Sequence, residues 1–315
     1  MKRITWRDKN TPRSELNLDR NENCDIYLPG VYRDFMSGIT TQDMIRYPDI
    51  YSAYVNLGQY ININPDNLLI CNGSEQGLKI LLEYLSADCS SIQYWTPTFQ
   101  MVHVYSEIYK LESDIIPYTY SDQNFHTDLS HKGNDIVYIV NPNNPTGTTV
   151  TNEYIRYLCE TKKIVIVDEA YYEFNRYQTC IDLVDEYSNL YILRTLSKAH
   201  GAAGIRIGYI ISQSININNL ASLKPAYEIS GIGVKFIEYI ANNPNIVIDT
   251  VERLLQAKQY MEGQYKCLPV SGNYILMEYS IPLYNALWLI GDVKVIRIDG
   301  QSFIRVTVTN HEKFK

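Results

Sequence analysis

Short apolar runs typical of strands alternate with segments typical of helices from about residue 40 onward. The run 68–71 is followed by leucines at helical spacing from Leu78 to Leu85, and a further helix is predicted over 152–161. This alternation predicts an α/β fold, in which a mostly parallel sheet carries helices on both faces. The strand-like runs span residues 68–71, 91–95, 136–140, 164–167, 190–193 and 205–211.

The pattern changes at about residue 224. Helical stretches over 224–239 and onward to residue 257 precede strand-like pieces at 272–279, 293–298 and 302–309, which together predict a smaller α+β domain. A chain of 315 residues is long enough for two domains. We therefore expect three parts: an N-terminal segment, residues 1–34, packed with the small domain; a large cofactor-binding domain, 35–223; and a small C-terminal domain, 224–315.

Polar residues follow several of these runs. Asn144 lies after 136–140, Asp168 directly after 164–167, and Lys198 shortly after 190–193, with Arg206 eight residues beyond it. Ligands bind at the carboxyl ends of such strands, so these side chains can share one site. A lysine forms an imine with an aldehyde cofactor, and an aspartate can keep a pyridine nitrogen protonated. Singly, each residue is more often a surface or loop residue, but their joint order predicts pyridoxal phosphate.

Composition narrows the function classes. The net charge of −7, from 28 basic and 35 acidic residues without a basic stripe, argues against a nucleic-acid surface. The six cysteines form no C-x-x-C pair and the five histidines have no ligand spacing, so no metal site is predicted. The charged start, residues 1–9, lacks the apolar stretch of a signal peptide, and no run approaches a membrane span. We expect a cytoplasmic protein without a membrane partner.

The segments around Asn144, Asp168, Lys198 and Arg206 resemble those of class I/II aminotransferases, which are fold-type I pyridoxal phosphate enzymes, and within them the histidinol-phosphate aminotransferase subgroup. The resemblance also includes residues 21–23, 46–49, 73–75, 96–99 and 303–308, and it is weakest between 212 and 269. It implies a homodimer that moves an amino group from a small-molecule amino donor to a keto acceptor.

The resemblance also implies roles for individual residues around the cofactor ring. Lys198 would carry the imine and then move a proton at the substrate alpha carbon, and Asp168 would pair with the ring nitrogen. Asn144 and Tyr171 would hydrogen-bond the phenolate oxygen, while Phe99 would stack on the ring.

The cofactor phosphate needs donors and positive potential. By the same resemblance, these come from the backbone N–H groups of Ser74 and Glu75 at a helix start, the hydroxyls of Thr195 and Ser197, and the guanidinium of Arg206. Tyr47 would reach across the dimer to the phosphate in the partner subunit.

Two arginines are candidates for substrate binding. Arg305 resembles the arginine that binds the substrate carboxylate, and Arg297 resembles a second anion-binding arginine that meets a substrate phosphate in the histidinol-phosphate subgroup. For Arg297, a solvated strand residue is an equal alternative. The chain is shorter than usual for the family between Gly208 and Arg305, where substrate contacts arise, so the donor and acceptor are not predicted.

Two other functions stay open at this stage. A decarboxylase resembling threonine-phosphate decarboxylase shares the lysine, aspartate and arginine but breaks the bond to the carboxylate. A noncatalytic binding protein could keep the fold, although the presence of Lys198 together with Asp168 argues against it.

Overall fold

The computed structural model describes residues 16–130, 133–162 and 164–314. The charged start on which the absence of a signal peptide is predicted lies outside these ranges, as do His131 and the first 15 residues of the expected N-terminal segment.

The described residues form helices and strands in the alternating order expected for the first two thirds of the chain. The helices are α1 Leu28–Ser37, α2 Thr41–Ile45, α3 Ile50–Ile61, α4 Gly73–Leu85, α5 Met101–Ile108, α6 Asn152–Thr161, α7 Ser214–Leu220, α8 Gly231–Asn242, α9 Asn245–Gln264 and α10 Ile281–Ile290. The strands are β1 Leu68–Cys71, β2 Ser91–Thr96, β3 Glu112–Pro117, β4 Thr119–Ser121, β5 Asn124–His126, β6 Ile136–Val140, β7 Ile164–Asp168, β8 Leu190–Thr195, β9 Gly208–Ile211, β10 Tyr274–Glu278, β11 Lys294–Ile298 and β12 Gln301–Thr307. Of the helices in this part of the chain, none is both long and apolar enough to cross a membrane.

The large sheet has seven strands in the order β1-β9-β8-β7-β6-β2-β3. Strand β9 is antiparallel to both of its neighbours, β1 and β8, and every other adjacent pair is parallel. The predicted mostly parallel sheet is therefore confirmed. In its register, Asp168 pairs with Val140 on one side and with Leu193 on the other, so three strand ends meet at the same edge.

Both faces of this sheet are buried, which explains why the central strands are almost wholly apolar. Alternate residues of β6 belong to different cores: Val137 and Ile139 pack with one cluster, and Ile136 and Tyr138 with the other. The first cluster includes residues of α3, α6 and α8, while the second includes the leucines of α4. Helices thus cover both faces, as predicted.

The small sheet is antiparallel, in the order β10-β12-β11, and α9 and α10 accompany it. Its central strand carries Arg305, which lies opposite Lys294 of β11. The N-terminal segment bonds to this sheet: Leu18 N donates to Asp292 O at 2.9 Å, and Thr307 N donates to Leu18 O at 2.9 Å. These bonds agree with the expected packing of the segment, while the boundaries at 34/35 and 223/224 stay predictions.

Several elements differ from the sequence expectation. The run 205–211 becomes a strand only at Gly208, because the chain turns through a left-handed backbone conformation at Arg206 (φ 64°). The helix predicted from residue 224 begins at Gly231, where the hydroxyl of Ser230 accepts from Gly233 N and caps it. The uniformly apolar helix α10 was not predicted, because it lacks a helical period.

Candidate active site

A cavity of about 620 Å³ lies at the carboxyl edge of the large sheet and extends to the small sheet. All predicted site residues except Tyr47 line it: Ser74, Glu75, Phe99, Asn144, Asp168, Tyr171, Thr195, Ser197, Lys198, Arg206, Arg297 and Arg305. The cavity wall also includes Asp19, Arg20 and Lys294, which the sequence did not single out. Residues of the N-terminal segment, of the part that forms the large sheet and of the part that forms the small sheet therefore line one cavity.

Lys198 begins the turn that follows β8. Its side-chain amine donates to the backbone carbonyls of Arg20 at 3.1 Å and Asn21 at 3.3 Å, and its Nζ lies 5.5 Å from the centroid of the Tyr171 ring. The hydroxyl of Tyr171 accepts from Asn21 Nδ2 at 3.1 Å. The N-terminal segment thus contacts both side chains and forms part of the cavity wall.

Asp168 ends β7 and is 3% exposed. Its Oδ2 accepts from the hydroxyl of Tyr138 at 3.0 Å, and its Oδ1 accepts from the backbone N–H of Ala170 at 3.0 Å. Burial raises the pKa of Asp168 to about 6, and these two hydrogen bonds and the positive charge of Lys198 limit the rise. The carboxylate is therefore mostly ionised at neutral pH.

Tyr138 was missed in the sequence analysis, although a signal for it exists. Its hydroxyl lies in a strand whose five residues are all buried, and a buried hydroxyl needs a hydrogen-bond partner. Asp168 ends the adjacent strand two positions beyond the residue paired with Tyr138, which is Ile166. A tyrosine within an aliphatic central strand therefore indicates a nearby polar group.

A corner of the cavity that is rich in hydrogen-bond donors lies where α4 begins. The first N–H groups of a helix lack intrahelical acceptors and carry partial positive charge, and here they include those of Ser74 and Glu75. The guanidinium of Arg206 lies against Gly73, where any Cβ would collide with it, and Gly73 also has a positive φ of 79°. The side chain of Glu75 accepts from Tyr105 at 3.1 Å, as suits a residue expected to contribute through its backbone only.

The hydroxyls of Thr195 and Ser197 belong to residues far from α4 in the sequence that line the same cavity. Thr195 Oγ1 is 2.9 Å from Ser197 Oγ, and it accepts from the backbone N–H of Ser197 at 3.1 Å. Both residues are buried and line the cavity. Together with α4 and Arg206, they form a set of donors of the kind that holds a phosphate group.

Arg305 is 6% exposed and lies where the two sheets approach. Its Nη1 donates to Asn144 Oδ1 and its Nη2 donates to the carbonyl of Asp19, both at 2.6 Å. Its Nε has no hydrogen-bond partner among the described residues. A guanidinium has five N–H groups, and the two acceptors use one hydrogen on each Nη, so Nη hydrogens remain for a ligand in the cavity.

The wall formed by β11 adds further positive charge. Arg297 and Lys294 are exposed residues of this strand that line the cavity, and Arg20 lies across from them. Although Lys294 is exposed by its surface area, partial loss of hydration within the cavity, followed by the neighbouring charges of Arg305 and Arg20, lowers its pKa. The cations on this wall are close enough to influence one another, which favours an anionic ligand between them.

Tyr47 does not line the cavity of its own chain. It is 80% exposed, and its ring stacks on Tyr227 with centroids 4.4 Å apart. Met44, Ile45 and Tyr51 beside it are 62%, 68% and 78% exposed. These four residues, Met44, Ile45, Tyr47 and Tyr51, form an apolar surface that we call the α2–α3 surface.

A sequence model of the family described as aminotransferase class I and II matches residues 16–314. A histidinol-phosphate aminotransferase of Clostridium kluyveri is 28% identical over 322 residues, which cover 95% of this chain and 90% of the relative.

Two solved structures share the fold. The L-threonine-O-3-phosphate decarboxylase from Porphyromonas gingivalis has a TM-score of 0.79 at 15% identity, over 95% of this chain and 96% of its own. The histidinol-phosphate aminotransferase from Sinorhizobium meliloti, solved in complex with pyridoxal-5'-phosphate, has a TM-score of 0.77 at 17% identity, over 96% of this chain and 88% of its own. At such identities the likeness shows the fold alone. The family match, in contrast, spans nearly all described residues, and the chain therefore belongs to the class I and II aminotransferases, as an enzyme that uses pyridoxal phosphate.

Proposed function

We propose that this cavity transfers an amino group from an amino acid, or a phosphorylated amine, to a keto acid or aldehyde. The observation that carries the proposal is the presence, in one cavity, of Lys198, Asp168 and a buried arginine, Arg305, with Nη hydrogens that its two protein acceptors do not use. Pyridoxal phosphate, when bound, supplies an aldehyde for the amine and a ring that accepts electrons from the substrate.

The residues of the cavity fit this cofactor. The N-terminus of α4, the guanidinium of Arg206 and two hydroxyls offer donors for a phosphate. Asp168 offers a buried carboxylate that has two neutral hydrogen-bond donors and no directly bonded cation, so a protonated ring nitrogen would complete its environment. Phe99 offers a flat apolar ring in the cavity wall.

Lys198 is proposed as the group that moves a proton at the substrate alpha carbon. Among the described residues, its Nζ is bonded to carbonyl acceptors, which hold an amine in position without a counter-ion. Replacing those weak contacts requires little rearrangement of the protein. Lys198 is thus placed to exchange a proton with a substrate in the cavity.

Arg305 is proposed to bind the substrate carboxylate. Asn144 and the Asp19 carbonyl fix the plane of the guanidinium, and its remaining Nη hydrogens can donate to a carboxylate in the cavity. This orientation fixes which bond of the alpha carbon faces Lys198, and transamination requires that it be the C–H bond. Arg297 and Lys294 are proposed to bind a second anionic group, such as a phosphate.

We propose a homodimer in which Tyr47 completes the site of the partner subunit. The α2–α3 surface is apolar and contiguous, and such surfaces usually mark interfaces. Tyr47 lies on this surface rather than in its own cavity.

We also propose a cytoplasmic location, which suits six free cysteines, and the three-part division at residues 34/35 and 223/224.

The first prediction concerns Lys198 and the reaction. Borohydride reduction of the protein with pyridoxal phosphate should attach the cofactor to Lys198, as peptide mapping would show, and glutamate or another active donor should release the matching keto acid. Lys198→Ala should lose the adduct and at least about 10²-fold in turnover, as expected for a general acid–base group. Carbon dioxide release from a phosphorylated amino acid, without a keto acid, would instead support the decarboxylase.

The second prediction concerns Tyr138. Tyr138→Phe removes a hydrogen bond to a carboxylate, so the pKa of Asp168 should rise above about 6 in the cofactor-free protein. Because the folded pKa already exceeds the ordinary 3.8, ionising Asp168 destabilises the fold as the pH rises from about 4 to 6. In the variant, the free energy of unfolding should continue to fall to a higher pH than in the parent.

Carbon-13 NMR of labelled aspartate carboxyls, with urea unfolding at several pH values, would measure both effects. Tyr191→Phe removes the hydroxyl of another buried tyrosine, on β8, and serves as the matched control. An unchanged titration of Asp168 in Tyr138→Phe would show that the hydroxyl does not support the carboxylate.

The third prediction concerns Arg305. Arg305→Ala should raise the KM for the amino donor by roughly 30-fold or more, since losing one partner of a buried charged contact costs about 2 kcal/mol or more. Arg305→Lys keeps the charge but not the fork, and should recover only part of the loss. Arg297→Ala, an exposed change in the same cavity, should leave the KM for an unphosphorylated donor within a few fold. An unaltered KM in Arg305→Ala would exclude carboxylate binding by this residue.

The fourth prediction tests Tyr47 by subunit complementation. Tyr47→Ala and Lys198→Ala proteins should each be weakly active. A mixed dimer, however, contains one site with Lys198 from one chain and Tyr47 from the other, so exchange of subunits should restore activity. Leu289→Ala changes an 81% exposed residue of α10 and serves as the control. It should be fully active alone, so subunit exchange should not raise its activity. A fully active monomer at micromolar concentration by light scattering would contradict the proposed dimer.

A further inference from the structure

A chain of three polar side chains, two of them buried and Tyr60 partly buried, lies outside the residues that line the cavity. His200 is 5% exposed and Glu173 is 2% exposed. The Nε2 of His200 is 3.0 Å from the hydroxyl of Tyr60, and its Nδ1 is 3.8 Å from Glu173 Oε1. Neither His200 Nδ1 nor Glu173 Oε2 has a hydrogen-bond partner among the described residues.

The three side chains belong to segments that matter for the proposed reaction. Tyr60 lies near the end of α3, Glu173 lies in the 3₁₀ helix Tyr172–Asn175 that follows Tyr171, and His200 comes two residues after Lys198. The turn at Lys198 is closed by Gly201 N, which donates to the Lys198 carbonyl at 3.2 Å. The Tyr60–His200–Glu173 chain therefore links the segment carrying Lys198 to the segment carrying Tyr171.

The charges around Glu173 decide its protonation. The nearest cation, Arg194, forms a buried pair with Glu169, with Nη2 and Oε2 2.9 Å apart. The other ionisable groups whose electrostatic fields reach Glu173 are tyrosines, namely Tyr60, Tyr172, Tyr177 and Tyr209. An ionised Glu173 would thus be a buried negative charge without a cation of its own, which is costly.

The two titrating partners shift in opposite directions. Burial raises the pKa of Glu173 to about 8, and burial lowers the pKa of His200. A neutral carboxylic acid has one O–H to donate, and a neutral imidazole has one nitrogen that accepts. A small rotation of either side chain would therefore give both orphaned groups a partner.

We propose that Glu173 is a protonated acid that donates to His200 Nδ1, while His200 Nε2–H donates to Tyr60, and that this hydrogen-bonded chain positions Lys198. The inference rests on the proposed role of Lys198. Glu173 and His200 are positioning residues, since they act through the turn rather than on the substrate. Ionisation of Glu173 removes this donor and leaves a buried negative charge beside His200, which loosens that turn.

The first test uses the cofactor-free protein, so its outcome does not depend on the reaction. In protein labelled with nitrogen-15 histidine, His200 is assigned by the loss of its signals in His200→Gln. At pH 7 its shifts should show a neutral ring with Nε2 protonated and Nδ1 accepting a hydrogen bond, and the signals should change with a midpoint near 8. A ring protonated on Nδ1, or a charged ring, would overturn the proposal, because Glu173 would then be ionised.

The second test compares Glu173→Gln with Glu173→Leu. Glutamine keeps a neutral donor and should rescue the chain, whereas leucine should lower turnover by roughly tenfold or more at every pH, as misplaced catalytic groups do. The melting temperature of the parent should fall relative to Glu173→Gln between about pH 4.5 and 8 and then level off, because only the folded parent retains a proton on Glu173 there.

Turnover and hydrogen exchange complete this comparison. Above pH 8, turnover of the parent should fall relative to Glu173→Gln, and backbone amides of residues 196–202 should exchange faster in the parent. Equal pH profiles for the parent and Glu173→Gln would refute the positioning role even if the cofactor reaction proceeds as proposed. If the NMR and melting results hold but no amino transfer occurs, the buried chain stands and the proposed function fails.

Discussion

The end of β7 is the point on which the site depends. Asp168 terminates a strand that is buried on both faces, and register pairs it with Val140 and Leu193 of the neighbouring strands. An unpartnered charge in the sheet interior is costly. The carboxylate therefore accepts hydrogen bonds there from a hydroxyl and an N–H group, rather than pairing with a cation. The side chain stays mostly ionised at neutral pH. Because its pKa is raised, the carboxylate favours a partner that donates a proton to it in a hydrogen bond.

Arg305 joins the parts of the molecule that the large sheet alone does not bring together. It lies on the central strand of the small sheet and donates to Asn144, which follows β6, and to the carbonyl of Asp19 in the N-terminal segment. A buried guanidinium must satisfy its N–H groups, and these two acceptors satisfy only two of five. The same contacts that hold the two sheets at the cavity therefore leave Nη hydrogens without a protein acceptor at the cavity wall.

Sequence reasoning succeeded where periodicity dominates. The predicted bounds 68–71, 136–140 and 152–161 coincide with β1, β6 and α6, because fully buried strands and amphipathic helices have strong patterns. It failed for β3, whose half-exposed residues alternate weakly, and for α10, which is apolar on all sides. The membership of the cavity was predicted for twelve residues, but their roles stay predictions, since no bound group tests them.

Long-range contacts explain what the sequence analysis missed at the site. The left-handed turn at Arg206 serves to bring its guanidinium against Gly73, more than 130 residues earlier, and neither residue signals the other in the sequence. Asp19 and Arg20 lie at the cavity next to the point where the N-terminal segment bonds to the small sheet, and Lys294 belongs to strand β11 of that sheet. Tyr138 was hidden among 28 tyrosines, of which most have no relation to the cavity.

That abundance of tyrosine has a physical consequence for the distribution of charge. Tyrosine hydroxyls donate to carboxylates in several places outside the cavity, including Tyr120 to Glu278 at 2.7 Å and Tyr239 to Asp34 at 2.8 Å. Each such bond supports an acid without adding a positive charge. The chain has a net charge of −7, and its basic side chains are then available to line the cavity where anions would bind. Lys198, Arg206, Lys294, Arg297 and Arg305 all line one cavity, so its positive potential contrasts with the acidic remainder and favours anionic ligands there.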